Sequence, residues 1–344
     1  MFLPTTFDEM QKAGISKFDV ILVSGDTYID SAYSGVAIIG RLLQGKGYSV
    51  GIIAQPDINT DDIARLGEPK LFWGVSAGLV DSMVANYTAT KKVRNNDDFT
   101  PGGKNTKRPD RASIVYTGLI RRYFKNTVPI VLGGIEASLR RIAHYDFWSN
   151  NIRKSLLFDA KADIIVYGMG EKTVLELALA LKKNENWRDI RGICYIAKEP
   201  KEQFVELPTF DDVKNDKNKF IDSFHIFYHN NDPLSSKGLY QKQDTRFLIQ
   251  NPPQFYLNEA EIDTVYDLPY TRDVHPFYKK DGDVKALDTI KFSVTTHHGC
   301  YGECNFCAIT VHQGRTIRSR SEDSIIKEIT KFTSSKDFKG NIFD

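Results

Sequence analysis

The sequence predicts an α/β protein: a doubly wound parallel sheet, then a connecting region, then the first β/α unit of a barrel. Three observations carry this. Apolar runs of strand length alternate with segments of helical period from residue 19 to residue 183. The joints between them are short and rich in glycine. A fresh strand, loop, helix and strand pattern then starts at residue 290, after a stretch of weaker periodicity.

Taken in order, "DVILVSG" (19–25) is a buried strand, and in "GVAIIGRLLQGKG" the residues Val36, Ile39 and Leu43 share one helical face, with Gly47 as the stop. "SVGIIAQ" is the second strand. "KLFWGVSAG" (70–78), "PIVLGGI" (129–135) and "ADIIVYGMG" (162–170) supply three more, and "DRASIVYTGLIRRYF" and "EKTVLELALALKKN" read as helices. Five strands so arranged make a Rossmann-like domain whose ligand crevice lies beyond the strand C-termini. The sequence puts Gly25, Asp26, Ser76 to Gly78, Gly133, Gly134 and Gly168 to Glu171 there.

Between the third and fourth strands, "KKVRNNDDFTPGGKNTKRPDR" carries seven basic and three acidic residues. It reads as a solvated surface loop. A polyanion contact is the sharper alternative, but no interleaved aromatics support one. Further on, "GICYIA" is expected as an edge strand, "TFDDVKNDKNKFIDSFHIFYHN" as a helix, and "NPPQFYLNEAEIDTVYDLPYTRDVHPFY" as an irregular linker packed on its neighbours. "IKFSVTTHHGC" then reads as a strand, "SEDSIIKEITKFTSS" as a helix capped by Ser321, and "GNIFD" as the opening of a second strand. The expected divisions are 1–198, 199–289 and 290–344. One β/α unit cannot close a barrel.

The totals narrow the class of protein. With 46 basic and 44 acidic residues the net charge is +2, which gives no global attraction to nucleic acid or an anionic membrane. No apolar run nears the roughly 18 residues of a membrane span. The start lacks the order of a signal peptide, so a cytoplasmic location is expected.

Three of the four cysteines, Cys300, Cys304 and Cys307, lie in one loop at C-x3-C-x2-C spacing, with Gly299 before the first and Gly302 after it giving the backbone freedom to curl round a ligand. Zinc, with His297, His298 or His312 as a fourth ligand, is one reading. Zinc sites favour paired ligands from two separate knuckles, whereas three thiolates in one loop suit an iron-sulfur cluster with one iron left open. Cys194, on an apolar strand, reads as a core residue.

"CYGECNFC" resembles the signature of radical S-adenosylmethionine enzymes. The wider sequence, in "ILVSGDTYID", "FTPGGK", "GGIEASLRRIAHYDFW", "VYGMGE", "LPYTRDVHP" and "CAITVHQGRTIRSRS", is similar to the YgiQ-type subgroup. The resemblance implies that Cys300, Cys304 and Cys307 hold a 4Fe-4S cluster, that S-adenosylmethionine chelates the open iron, and that Phe306 flanks its adenine. It implies reductive cleavage to a 5'-deoxyadenosyl radical, a one-electron donor such as flavodoxin or ferredoxin, and a barrel that continues past this chain's end. The substrate is undefined, and activity of this length of chain is in question.

The first domain also resembles the cobalamin-binding fold, whose D-x-H-x-x-G motif falls on Asp30, Ala32 and Gly35, followed by Ser76 and by Gly133 and Gly134. The missing histidine favours the fold without a corrin. The run "QGRTIRSRSEDSIIKEI" resembles tRNA methylthiotransferases, which implies RNA as an alternative substrate, yet their three further N-terminal cysteines are reduced here to Cys194. Arg315, Arg318 and Arg320 read either as a solvated basic entrance or as an anion contact. His144, Tyr145, Asp146 and Trp148 read as an aromatic cluster or a pocket. Glu136 and Glu171 are either dipole-favoured helix starts or contacts to a substrate hydroxyl or amine. From a different class, a module that binds a ligand or partner without radical chemistry also accommodates these features.

Overall fold

A computed structural model describes residues 1–343. Its centre is a nine-stranded sheet formed by β1 (Val20–Ser24), β2 (Val50–Ala54), β3 (Phe72–Ser76), β4 (Ile130–Gly133), β5 (Ile164–Val166), β6 (Ile193–Ala197), β7 (Val205–Leu207), β8 (Leu239–Gln243) and β9 (Arg246–Gln250), in the order β2-β1-β3-β4-β5-β6-β9-β8-β7. The first five are parallel, as the alternation of elements predicts. Their order reverses between β1 and β3, so the loops leaving these two strands turn to opposite faces and part.

Side-chain alternation sorts the two faces. Ile21, Val23, Trp73, Val75, Ile130 and Leu132 pack on the helix Ala112–Tyr123. Val20, Leu22, Phe72, Val131, Ile164 and Val166 face the other way, against α1 (Gly35–Gly45) and α2 (Glu171–Lys183). Helix α1 ends where expected: Gly47, at φ +81°, lets its own N–H and that of Tyr48 turn back onto Gln44 and Leu43.

The sheet does not stop at "GICYIA". The sequence expects an edge strand there, but β6 is interior, antiparallel to both β5 and β9. Residues 199–289 add three strands to the same sheet, although the sequence reads them as a connecting region. Two of them, "LYQKQ" and "RFLIQ", are too polar to announce themselves. Gln241, Gln243 and Gln250 are nevertheless buried, because each amide oxygen has a partner: Gln241 Oε1 accepts from Ala143 N and Gln243 Nε2, Gln243 Oε1 accepts from Ser155 N, and Gln250 Oε1 accepts from Arg141 Nε. Arg141 itself is fully buried between the rings of Tyr167 and Phe227, at 4.4 and 4.3 Å, with no carboxylate partner among the described residues.

The basic loop 91–111 is solvated over residues 91–96, as the sequence reads it, and anchored beyond them. Arg108 is buried against Asp26 and Asp97, and Thr100 accepts from Gln55 Nε2 at 2.6 Å, so the loop folds across the ends of β1 and β2. Arg111 pairs with Asp146, which also binds Arg140 and Ser149. His144–Asp146 therefore forms a short ribbon with Asn151–Arg153, with Tyr145 and Phe147 exposed, and its reading as a pocket gives way to the structural one.

The last segment holds the expected helix, α3 (Glu322–Thr333), capped by Ser321 through its bond from Ser324 N. The strand expected over "IKFSVTTHHGC" is reduced to one parallel bridge, Ser293 with Phe343, because Phe343 is its only parallel neighbour among the described residues. His297–His298 instead pairs antiparallel with Arg318–Ser319. The "irregular linker" contains the helix Glu259–Tyr266, and its end is stitched to the loop after β1: Asp30 N donates to Asp273 O, His275 N to Tyr28 O and Thr271 N to the Asp30 carboxylate.

Asp30 is fully buried and also takes the Arg41 guanidinium through two N–H groups. Breaking such a pair leaves a buried charge, so Arg41→Ala should cost about 3–5 kcal/mol in urea unfolding. Removing exposed Lys183, paired with Glu185 at 3.8 Å, should cost about 1 kcal/mol or less. A second expectation concerns acid. Burial, reinforced by Arg140, pushes His144 down to about 4 from 6.5, so the unfolded chain takes up a proton first. The stability this gives is full above pH 6.5 and is lost as the pH falls toward 4. Unfolding midpoints at pH 7.5 and 5 should therefore differ less in His144→Gln than in the parent.

Candidate functional site

The cysteine loop leaves His298 through Gly299, whose φ of +85° brings its N–H to Gln313 Oε1 at 3.0 Å. Cys300 N then donates to Gly314 O at 3.1 Å, so the two ends of the loop are pinned together. A Cβ at Gly299 would stand 2.3 Å from Thr316 O, and one at Gly314 would stand 2.4 Å from the Tyr256 hydroxyl oxygen, so both positions need glycine for close approach. The middle is tied to the helix Lys217–His229: the Tyr228 hydroxyl donates to Glu303 at 2.9 Å, Arg315 Nε lies 2.6 Å from the same carboxylate, and the guanidinium stacks 3.9 Å above the Tyr228 ring.

Within this frame Cys300 and Cys307 are half-buried, Cys304 is exposed, and all three are free thiols. Gly302 N donates to Cys300 Sγ at 3.4 Å, and the sulfurs of Cys300 and Cys304 lie 3.4 and 3.8 Å from where a Gly302 side chain would begin. Cys307 N bonds back to Cys304 O at 2.9 Å. Among the described residues no three ligating side chains converge on a metal-sized point. The donor set nonetheless fits a thiolate-bound cluster: soft sulfur ligands only, on a loop with nothing packed over it. Phe306 is 92 % exposed, open on the same rim.

The other candidates separate cleanly. Cys194 is fully buried on β6 and burial pushes its thiol up to about 12, far from a ligand's thiolate form. Arg320 is buried in an ion pair with Glu328, which also binds Arg272, and Arg318 lies 3.8 Å over Tyr256. These arginines are internal cross-links and do not form a basic entrance. Glu136 is consumed by Ser82 N, the Ser82 hydroxyl and Ser113 N. Asp30 is engaged as described.

The crevice that the sequence places beyond the strand C-termini is a cavity of about 420 Å³ at the switch point between β1 and β3. Its aliphatic walls include Leu22, Val36, Ile39, Val131, Val166 and Val174; its rim carries Asp26, Ser76, Glu171, His298, His312 and Gln313. The cavity and the cysteine loop therefore share Gln313 and adjoin at His298. A short relay backs the rim: the Ser138 hydroxyl accepts from Gly168 N at 3.0 Å and bonds His312 Nδ1 at 3.1 Å. Asp26, Ser76, Glu171 and the glycines of the strand ends signalled this region; His298 and His312 met it through tertiary packing.

The sequence of residues 2–293 matches the family model described as radical SAM N-terminal, which stops short of the three cysteines. A UPF0313 protein of Fusobacterium nucleatum is 58% identical over the whole of this chain, which covers 61% of that relative. Another from Thermotoga maritima is 53% identical, again with 61% of it covered, and one from Clostridium botulinum is 47% identical, with 54% covered. The chain thus spans little more than half the length of the curated relatives it matches. Among solved structures, the radical S-adenosylmethionine methyltransferase TsrM from Kitasatospora setae is similar over 92% of this chain and 45% of its own, with 16% identity and a TM-score of 0.46. No helix among the described residues is long and apolar enough to cross a membrane. By its family match and its relatives, this chain belongs to the radical SAM N-terminal family, among the UPF0313, or YgiQ-type, proteins.

Proposed function

We propose that the chain is the cluster-bearing part of a radical S-adenosylmethionine enzyme, with Cys300, Cys304 and Cys307 as the thiolate ligands of a 4Fe-4S cluster. The observation that carries the reading is the loop itself: three free thiols between two pinned glycine ends, with two sulfurs within 4 Å of the same point beside Gly302. When bound, such a cluster supplies the electron that cleaves S-adenosylmethionine to a carbon-centred radical. The chain's own contribution is positional. Gly299 and Gly314 hold the loop closed, Arg315 and Tyr228 fix Glu303 at its centre, and Gly302 N donates to the Cys300 sulfur. Phe306, exposed on the rim, is the proposed apolar face for adenine, and a flavodoxin or ferredoxin is the proposed electron source.

Two narrower points belong to the same reading. A corrin is left out, because Asp30 has both oxygens engaged and Ala32 offers no nitrogen ligand. Sulfur insertion of the methylthiotransferase kind is left out as well, since Cys194 is a core residue.

Anaerobic reconstitution should give about four irons per chain with visible thiolate-to-iron absorption. Cys300→Ala should lose most of both while Cys194→Ala keeps them; iron below about three per chain, or unchanged in Cys300→Ala, would refute the ligand set. Phe306→Ala should weaken S-adenosylmethionine binding several-fold at unchanged iron content. Equal affinity would remove Phe306 from the site.

A further inference from the structure

Two side chains at the cavity are left in a state that a folded protein ordinarily avoids. Glu171 is 5% exposed, yet its Oε2 has no hydrogen-bond partner among the described residues. His298 is 8% exposed; the Tyr266 hydroxyl holds its Nε2 at 2.9 Å, and its Nδ1 is equally without a partner. A buried polar atom left unpaired is destabilising, the more so when it is charged. Glu136, the other acid at a strand end, has no such vacancy.

Both residues line the same cavity, whose aliphatic walls come from two opposed layers, the sheet on one side and α1 and α2 on the other. Its volume, about 420 Å³, lies in the range of small-molecule sites. Gly78, Gly134 and Gly168, all at positive φ, keep the rim free of side chains. A slot with apolar faces and a carboxylate oxygen at one end is complementary to a flat ring that carries an N–H donor.

We propose that this cavity binds an N–H-bearing heteroaromatic compound, its ring between the sheet and α1 and α2, its N–H donated to Glu171 and a second polar edge facing His298. The site stands without the cluster: Glu171 and the aliphatic walls belong to the parallel sheet domain. Burial raises the Glu171 carboxyl above its usual range, and an N–H donor at Oε2 would bring it back down.

The test uses the whole 344-residue chain and two probes of matched shape, 2-aminobenzimidazole, which presents N–H groups, and benzothiazole, which presents none. Calorimetry should show saturable binding of the first, roughly tenfold tighter than the second. Glu171→Gln should lose roughly tenfold of that affinity while its thermal midpoint holds or rises, because an unpaired buried carboxylate has been removed. Val174→Phe, which fills the slot, should abolish binding; far-ultraviolet dichroism checks that it folds. Binding should persist when Cys300, Cys304 and Cys307 are all serine, so failure of the cluster reading and failure of this one are distinguishable. No saturable binding to the parent, affinity indifferent to the N–H or to Glu171, or a cobalamin chromophore retained after desalting would overturn the proposal.

Discussion

The buried carboxylate of Asp30 is the constraint on which the arrangement rests. It lies in the loop after β1, where the chain must leave the sheet without closing over the switch point, and it is paired with Arg41 from the second turn of the covering helix. Its remaining oxygen capacity and its backbone then capture residues 271–273. One ionised side chain thus holds the first loop, the first helix and the approach to the cysteine segment. An isolated pair of this kind contributes little to net stability, since desolvation offsets the attraction. Its effect is geometric: it admits one arrangement of three segments.

The same logic recurs outward. Glu328 sits between Arg272 and Arg320, which joins α3 to the segment that Asp30 holds and to the strand beside the cysteine loop. Asp26 and Asp97 share Arg108 beneath the basic loop. Arg108 and Arg320, which look like part of a solvated or nucleic-acid-facing surface in the sequence, are therefore spent inside on carboxylates, while Lys91, Lys92 and Arg94 stay exposed. Arg141 is the exception, a buried guanidinium satisfied by amide oxygens and two aromatic rings.

Legibility in the sequence followed hydrophobic pattern. The five parallel strands, α1, α2 and α3 were readable because their apolar residues repeat with the period of the element and stand in unbroken runs. Strands β8 and β9 were not, because their buried positions are glutamines whose partners, Ala143, Ser155 and Arg141, lie about a hundred residues away. The cysteine loop was readable as a ligand set from spacing alone. Its neighbourhood was not: nothing local distinguishes Glu136, fully bonded, from Glu171, left open at the cavity, since both stand in the first turn of a helix. That difference is made by Ser82 and Ser113, which reach one acid and not the other.

The stitch between residues 28–30 and 271–275 also bears on the order of assembly. The bond from Thr271 to Asp30 spans 241 positions, whereas the parallel sheet from β1 to β5 can be completed by residues 20–166. Contacts of such long sequence separation carry the largest closure entropy and form after local ones. The three thiols thus take their place only once the sheet exists to receive them. Until then they hang from an unanchored arm, accessible to whatever delivers iron and equally to whatever oxidises sulfur.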